Sequence, residues 1–423
     1  MRIAVIGSGI AGLVCAHKLC RQSHDVVLFE RQASIGVDAH SLDLNEKGAA
    51  ETVRADVPSR MFNSAQWPEL TELYRDVGVE TVEVAASQSF SYWEGETYLS
   101  LENVIRPSRL FGKIFNQKSR EILHEISRLQ NEGARDLTRS QGIGSATTLE
   151  YLTSNGYGDS FIYEFLFPAL SSTVFTCSFR GVGNYPAITT LQILQNLTRE
   201  APLLRARFGT QDVARRLLRS NIDLRLSADV QRIQPQLDQV QVQMADGTVE
   251  TFEHLVLATQ ANTALQLIPS LTAEESSVLN AFCYETIPVY VHTDQRFMPK
   301  ERKKWSTFNM LVANERDAAM CSVWLNRFHS EWRQMDPVFQ TINAFAAPES
   351  ALVLAQYELQ RPVVNQNSLP AWAALEKLHQ QPERRVWFCG SYAGRGTPLL
   401  ESGVISATAV VNAIEKICVG AVR

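Results

Sequence analysis

The chain opens on a short unbroken apolar run, Arg2-Ile-Ala-Val-Ile6, rich in β-branched side chains. That is the pattern of a central parallel strand buried on both faces. A small-residue turn follows, and Leu13 to Arg21 reads as helix. His24-Asp25 turns the chain, and Val26-Val-Leu-Phe29 is a second buried run. Strand, helix and strand in this order predict the start of a doubly wound α/β unit. Far downstream, Leu224–Leu226, Val230–Ile233 and Val240–Met244 alternate apolar and polar positions, with a turn at Ala245-Asp246-Gly247. They predict short alternating strands, after which Phe252–Leu257 enters Ala258-Thr259-Gln260. Near the end, Arg385–Cys389 reads as a strand and Glu401-Ser402-Gly403 opens an amphipathic helix to about Lys416, with Ser402 as its N-cap.

The turn after the first strand carries chemistry. In Gly7-Ser8-Gly9-Ile10-Ala11-Gly12 the first glycine permits the tight turn, the second lets backbone approach a pyrophosphate, and the third allows close helix–strand packing. Amides at the helix start then face phosphate. The second strand ends in Glu30, whose carboxylate suits ribose hydroxyls and repels a ribose 2′-phosphate, which disfavours NADP. Arg31 and the small-residue loop Ser34–Ser41 follow, where a simple NAD fold starts another helix. In flavoproteins such a loop, here with Gly36, Val37, His40 and Ser41, runs beneath the isoalloxazine; an ordinary connection is the other reading. Gly390-Ser391 and Glu401-Ser402-Gly403 place a second glycine turn and helix start after a strand, again receptive to an anion, or simply a terminal structural helix.

Composition narrows the class. The length of 423 residues and 45% apolar content predict two or three domains with a large core. A net charge of −5 with no massed Lys or Arg disfavours nucleic acid. Seven dispersed cysteines, without CxxC pairs, read as reduced thiols of a cytoplasmic protein. The first strand follows Met1 directly, so no secretion signal is expected, and no apolar run reaches the roughly 18 residues of a membrane span. No HExxH, P-loop or GxSxG occurs, so no metal site, nucleotide hydrolysis or serine acyl transfer is expected.

Gly7 to Gly12, Glu30-Arg31, the Gly36–Ser41 loop, and Phe388-Cys389-Gly390 through Glu401-Ser402-Gly403 together resemble the flavin amine-oxidase superfamily. Trp67–Tyr74, Val291–Asp294 with Met298-Pro299, Val323–Arg327 and Trp387–Gly390 are similar, in order, to a bacterial branch often found near lipid-modifying methyltransferases. The resemblance implies FAD as cofactor and an α/β architecture. A Rossmann-like FAD-binding domain of the glutathione-reductase type would be discontinuous (1–79, 205–265 and 385–423). An α+β substrate domain (80–204 and 266–384) would be inserted into it. It implies that backbone near Val230 meets the adenine half of FAD and that Ala258-Thr259 lies by the pyrophosphate; a meander without ligand contact is the alternative. Two departures stand out: Gly36-Val37-Asp38, with His40 further on, where the superfamily usually has two glycines and a basic or His residue, and Thr397–Glu401 where the branch tends to a His-Glu-Asp-Gly-like run.

Substrate and catalysis are less sharply marked. Many amine oxidases of the superfamily carry a lysine that holds a water near flavin N5; Tyr284 to Asp294 has none, and Pro288 stands about where it would fall. That points away from amines and toward dehydrogenation or desaturation of a hydrophobic small molecule or acyl chain. Flavin amine oxidase is the alternative, and a redox-inactive FAD-binding accessory protein the second. Phe161 to Tyr185 mixes aromatics with Ser171, Ser172, Thr173, Thr176 and Asn184, suiting either core or a mostly apolar pocket. Phe175, Tyr185, Trp324 and Asn326 are candidate pocket residues, and His40 and His292 candidate acid–base groups. Lys300, Arg302, Lys303 and Lys304 beside Trp305 suit a solvated face, a carrier protein or a lipid-modifying partner.

Overall fold

The computed structural model describes residues 1–44, 53–102, 117–139, 143–197 and 201–421, with the side chains of 197 and 418–421 left aside. Its centre is a five-stranded parallel sheet in the order Ile222–Arg225, Asp25–Phe29, Arg2–Ile6, His254–Leu257, Val386–Phe388. Three distant stretches of chain thus build one sheet. The middle strands are almost wholly apolar because helices cover one face and a meander the other. Helix Ile10–Arg21 and the last helix, Leu400–Ala421, lie side by side. Gly403 makes this possible, since a Cβ there would stand 2.8 Å from the Ile10 side chain. The meander Val230–Pro235, Val240–Met244, Val249–Phe252 closes the other face, where Phe252 meets Phe29 edge to face at 5.9 Å.

The structure assigns two of the strand segments more closely than their pattern does. The run at 224–226 belongs to the parallel sheet as its edge strand Ile222–Arg225; its alternation comes from half-exposure at the edge, not from membership of the meander. Phe252–Leu257 is also not one strand. It breaks at Glu253, whose amide donates to Arg2 O (2.9 Å) and whose carboxylate accepts from Arg2 N (2.7 Å), turning the chain from meander to sheet.

A second, seven-stranded sheet runs Val353–Val363, Cys283–His292, Phe339–Ile342, Ala319–Trp324, Phe308–Val312, Gln88–Tyr92, Thr97–Leu101. It is antiparallel except where Phe308–Val312 pairs with Gln88–Tyr92. Helices Gln117–Arg139 and Ala187–Leu197 pack together, and two π-helical stretches, Ile162–Leu166 and Leu170–Val174, flank Phe167–Ala169. A small sheet of Phe62–Asn63, Leu203–Ala206 and Thr81–Glu83 ties the two halves. Among the described residues no helix is long and apolar enough to cross a membrane. Six cysteines are free thiols; Cys418, the seventh of the sequence, has its side chain outside the described set.

Candidate active site

Gly7 turns the chain at φ +99°, a conformation side chains resist, and its amide donates to Phe29 O at 2.7 Å. Gly12 packs so tightly beneath it that a Cβ would lie 1.8 Å from Gly7 O. Gly9, at the helix N-cap, has nothing within 4 Å of the position a Cβ would take, and it faces a large cavity. Ser8 knots the turn together. Its amide and hydroxyl both donate to Glu30 Oε2 (2.9 and 2.7 Å), its hydroxyl accepts from Gly36 N (2.6 Å), and its carbonyl accepts from Val37 N (3.1 Å). Gln32 N donates to the other oxygen, Glu30 Oε1, at 2.9 Å. The acid is therefore fixed at the cavity wall. The short helical turn Gly36–Asp38 can sit there only as glycine first, because a Cβ at 36 would be 2.6 Å from Glu30 Oε2.

The cavity measures about 1580 Å³, more than the roughly 300–1,000 Å³ of a single small-ligand pocket, so it has room for a cofactor and a second molecule. Gly7, Ser8, Gly9, Ala11, Glu30, Arg31, Gly36, Val37, His40, Val230, Ala258, Thr259, Gly390, Ser391, Glu401 and Ser402 all line it. Sequence positions nearly four hundred residues apart are thus gathered on one wall. Gly12, Ser41 and Gly403 stand behind it, Gly12 and Gly403 in helix packing and Ser41 with its hydroxyl 3.3 Å from Thr210 Oγ1. An open glycine cradle, a helix start and a fixed acid fit the pyrophosphate and ribose of FAD.

The C-terminal segment differs in detail from expectation. The last helix begins at Leu400, so Ser402 is inside its first turn rather than its N-cap, and donates to Thr397 O at 2.6 Å. Glu401 accepts from the amides of Glu69 (3.0 Å) and Leu70 (2.8 Å), at the start of helix Pro68–Asp76. Its carboxylate is spent on that helix end, where burial raises its pKa.

His40 is on the cavity wall, its ring 5.1 Å from that of Tyr357. Burial, then the charges of Arg60 and Arg31, hold its pKa below the ordinary value, so the ring is kept neutral. His292 lies elsewhere. It is fully buried, accepts the Asp294 amide at Nδ1 (3.1 Å), pairs through Nε2 with Thr341 Oγ1 (2.7 Å), and burial lowers its pKa to about 4. An accepting Nδ1 assigns the proton to Nε2. The candidate pocket residues are not on the wall either. Phe175 and Tyr185 stack on each other at 3.7 Å in the core, and Trp324 donates to Asn326 Oδ1 (3.2 Å) while packing edge-on against Trp305. Asn326 itself holds the backbone of Trp332, Met335 and Val338. Of the basic stretch, Lys303 pairs with Glu301 (2.8 Å) and Arg302 covers the Trp305 ring.

Sequence reasoning passed over two arginines of the wall, Arg60 and Arg361, and the apolar helical faces carrying Ile126, Leu129 and Ile193. The helical residues were readable as amphipathic periodicity; the arginines have no local motif to announce them.

Compared with known proteins, residues 10–361 match the pattern of the flavin containing amine oxidoreductase family. Among solved structures, a variant of putrescine oxidase from a redesign of its cofactor binding superposes with a TM-score of 0.67 at 13% identity, covering 98% of this chain and 99% of that one. A fatty acid isomerase from P. acnes, described as producing CLA, gives 0.66 at 15% identity over 98% of both chains. A flavin-containing monooxygenase-like protein of Arabidopsis thaliana is 59% identical over 34 residues, 8% of this chain. The chain spans only a fifth of that curated relative's length, 20%.

Proposed function

The chain belongs to the flavin-containing amine oxidoreductase family and is an FAD-dependent oxidoreductase, and from that premise we propose that it dehydrogenates or desaturates a largely apolar small molecule or acyl chain. When bound, FAD supplies the redox chemistry by accepting hydride at N5 and passing the electrons to oxygen or another acceptor. The glycine turn and Glu30 would hold the dinucleotide, and the ring of His40, its pKa lowered by burial, would serve as a base within the same cavity.

One observation carries the reading: besides the glycine turns, the cavity is lined by Ile126, Leu129, Phe161, Phe165 and Ile193, with Ser172, Thr173, Gln130 and Gln192 as polar groups. Such a wall orients an apolar molecule and excludes water. The strand Cys283–His292 brings no lysine to it, and Pro288 is held in the sheet interior by two neighbouring strands. Amine oxidation is the second reading, favoured by the family match and by the putrescine oxidase likeness.

Anaerobic mixing of the yellow protein with an amine panel and with acyl and polyene candidates separates these readings. We expect bleaching of the visible flavin band by an apolar candidate and none by simple primary amines. Rapid bleaching by amines alone would overturn the proposal.

A further inference from the structure

We propose that Arg60 and Arg361 form the binding site for a carboxylate carried by the substrate, making the ligand an anionic amphiphile. The inference rests on the apolar reading of the cavity and specifies the head of the molecule that enters it.

Both arginines line the cavity. Each donates one terminal nitrogen to a lone carbonyl: Arg60 Nη2 to Val37 O and Arg361 Nη2 to Pro398 O, both at 3.3 Å. The Nε of each is buried and, among the described residues, has no partner. Arg60 and Arg361 are half-buried as whole residues; the buried arginines Arg205 and Arg384 also leave Nε unpaired, yet each is neutralised by a carboxylate, Glu331 at 2.5 Å and Glu275 at 3.0 Å. Arg60 and Arg361 have no ion pair among the described residues. The acids nearest Arg60 are committed elsewhere. Asp38 holds Arg54 (2.6 Å) and Thr210 Oγ1 (2.8 Å), and Asp56 holds the amide and hydroxyl of Thr210 (3.0 and 2.9 Å).

The two guanidinium charges also oppose each other. Burial first, and then the charge of Arg60, push Arg361 down to about 10. Like charges at a half-buried wall oppose each other, and an anion bound by both reverses the sign of the interaction. A planar guanidinium meets a carboxylate through two parallel N–H donors, and each residue has terminal N–H groups beyond the one given to its carbonyl. A neutral acceptor would satisfy hydrogen bonds but leave the charge of Arg361 without a counter-charge, whereas Arg60 has Asp56 and Asp38 nearby. An ammonium would be repelled. The anchoring carbonyls put this head group between the loop after Glu30 and the loop before the last helix, in a cavity that apolar residues also line.

Equilibrium dialysis of the flavin-loaded protein against decanoate, decanol and decylamine tests the site without requiring turnover. Decanoate should bind at least about tenfold more tightly than either analogue, the scale of a charged hydrogen bond. Arg60→Met and Arg361→Met keep the apolar stem and should each remove about that factor for decanoate while leaving decanol unchanged. Flavin content and melting temperature are read alongside. Should either variant fail to fold, the head-group comparison in the native protein decides. Equal affinity for decanoate and decanol overturns the proposal. So does an undiminished preference for decanoate in both variants, or loss of flavin from them with decanoate affinity intact, which would assign the guanidiniums to the cofactor. Selective decanoate binding with no bleaching by any apolar compound would leave this site standing and remove the dehydrogenation reading; bleaching by an uncharged apolar compound without decanoate selectivity would do the reverse.

Discussion

Gly9 and Gly12 stand three positions apart and meet opposite surroundings, open space at the first and Gly7 backbone at the second. Gly9→Val should therefore leave the flavin-free protein close to native in melting temperature while flavin retention is lost, because the side chain fills the phosphate cradle. Gly12→Val should lower stability itself, by about 1–3 kcal/mol or more, the scale of overpacking. Thermal melts and the flavin absorbance of purified variants check both, and a Gly9→Val protein that stays fully yellow would remove this turn as the cofactor site. His292 yields a pH effect. An unfolded histidine titrates near 6.5, whereas burial lowers His292 to about 4 in the fold. Above that unfolded value both states are neutral and pH acts on neither. Below it the unfolded chain takes a proton that the folded one refuses, so stability is lost as pH falls through this window, by up to about 1.4 kcal/mol per unit. His292→Gln can keep the bonds to Thr341 and the Asp294 amide, and its melting temperature should fall less between pH 6.5 and 4 than that of the native protein. At this scale the sequence was eloquent where a residue serves its neighbours in the chain, as in Gly7 to Gly12, and silent where it serves distant ones. Arg60 and Arg361 are ordinary arginines until folding brings Val37 and Pro398 to them.

Between residues and the whole lie the elements, and here Glu401 joins two of them. Its carboxylate takes two amides at the start of helix Pro68–Asp76 from a position 331 residues away in sequence. Glu401→Ala should cost about 1.5–3 kcal/mol, as for a hydrogen bond to a charged group. Hydrogen exchange should quicken first at the Glu69 and Leu70 amides; uniform quickening along the last helix instead would show that the contact does not hold Pro68–Asp76. The next residue, Ser402, explains why the helix start was misplaced by pattern alone. Ser402 has the chemistry of an N-cap, but the turn Thr397–Leu399 already leads into helix at Leu400, and Ser402 reaches back to Thr397. Similarly, the strand at Ile222–Arg225 showed alternation because it is an edge, and periodicity cannot tell an exposed edge of a parallel sheet from a meander strand. The pair of π-helical stretches around Phe167–Ala169 had no signature in the sequence, since a π-turn shares its composition with an α-turn.

The whole molecule is bound by a core that ignores the division into two sheets. One continuous cluster includes Ala4, Val27 and Phe29 of the parallel sheet with Phe90, Met310 and Val323 of the other. Amides of Arg2–Ile6 and of Phe308–Val312 should accordingly exchange with the same limiting free energy, as one cooperative unit; a clearly lower value for either sheet would mean that the halves open separately. The discontinuous α/β plan could be anticipated because each glycine turn follows a strand, a local rule repeated at both ends of the chain. Strand order in the seven-stranded sheet could not, since pairings such as Phe308–Val312 with Gln88–Tyr92 leave no mark on either strand. Distance along the chain also carries a consequence in time. The cradle needs Gly7 to Gly12 from one end and the segment about Gly390 to Ser402 from the other. At a ribosome's pace of about 5–20 residues per second, the first turn exists for roughly 20–80 seconds before its counterpart is made. Throughout that interval the growing polypeptide has half of the proposed cradle and a helix whose Ile10–Ala11 face awaits Gly403, so on the proposed assignment capture of FAD is expected to follow translation rather than guide it.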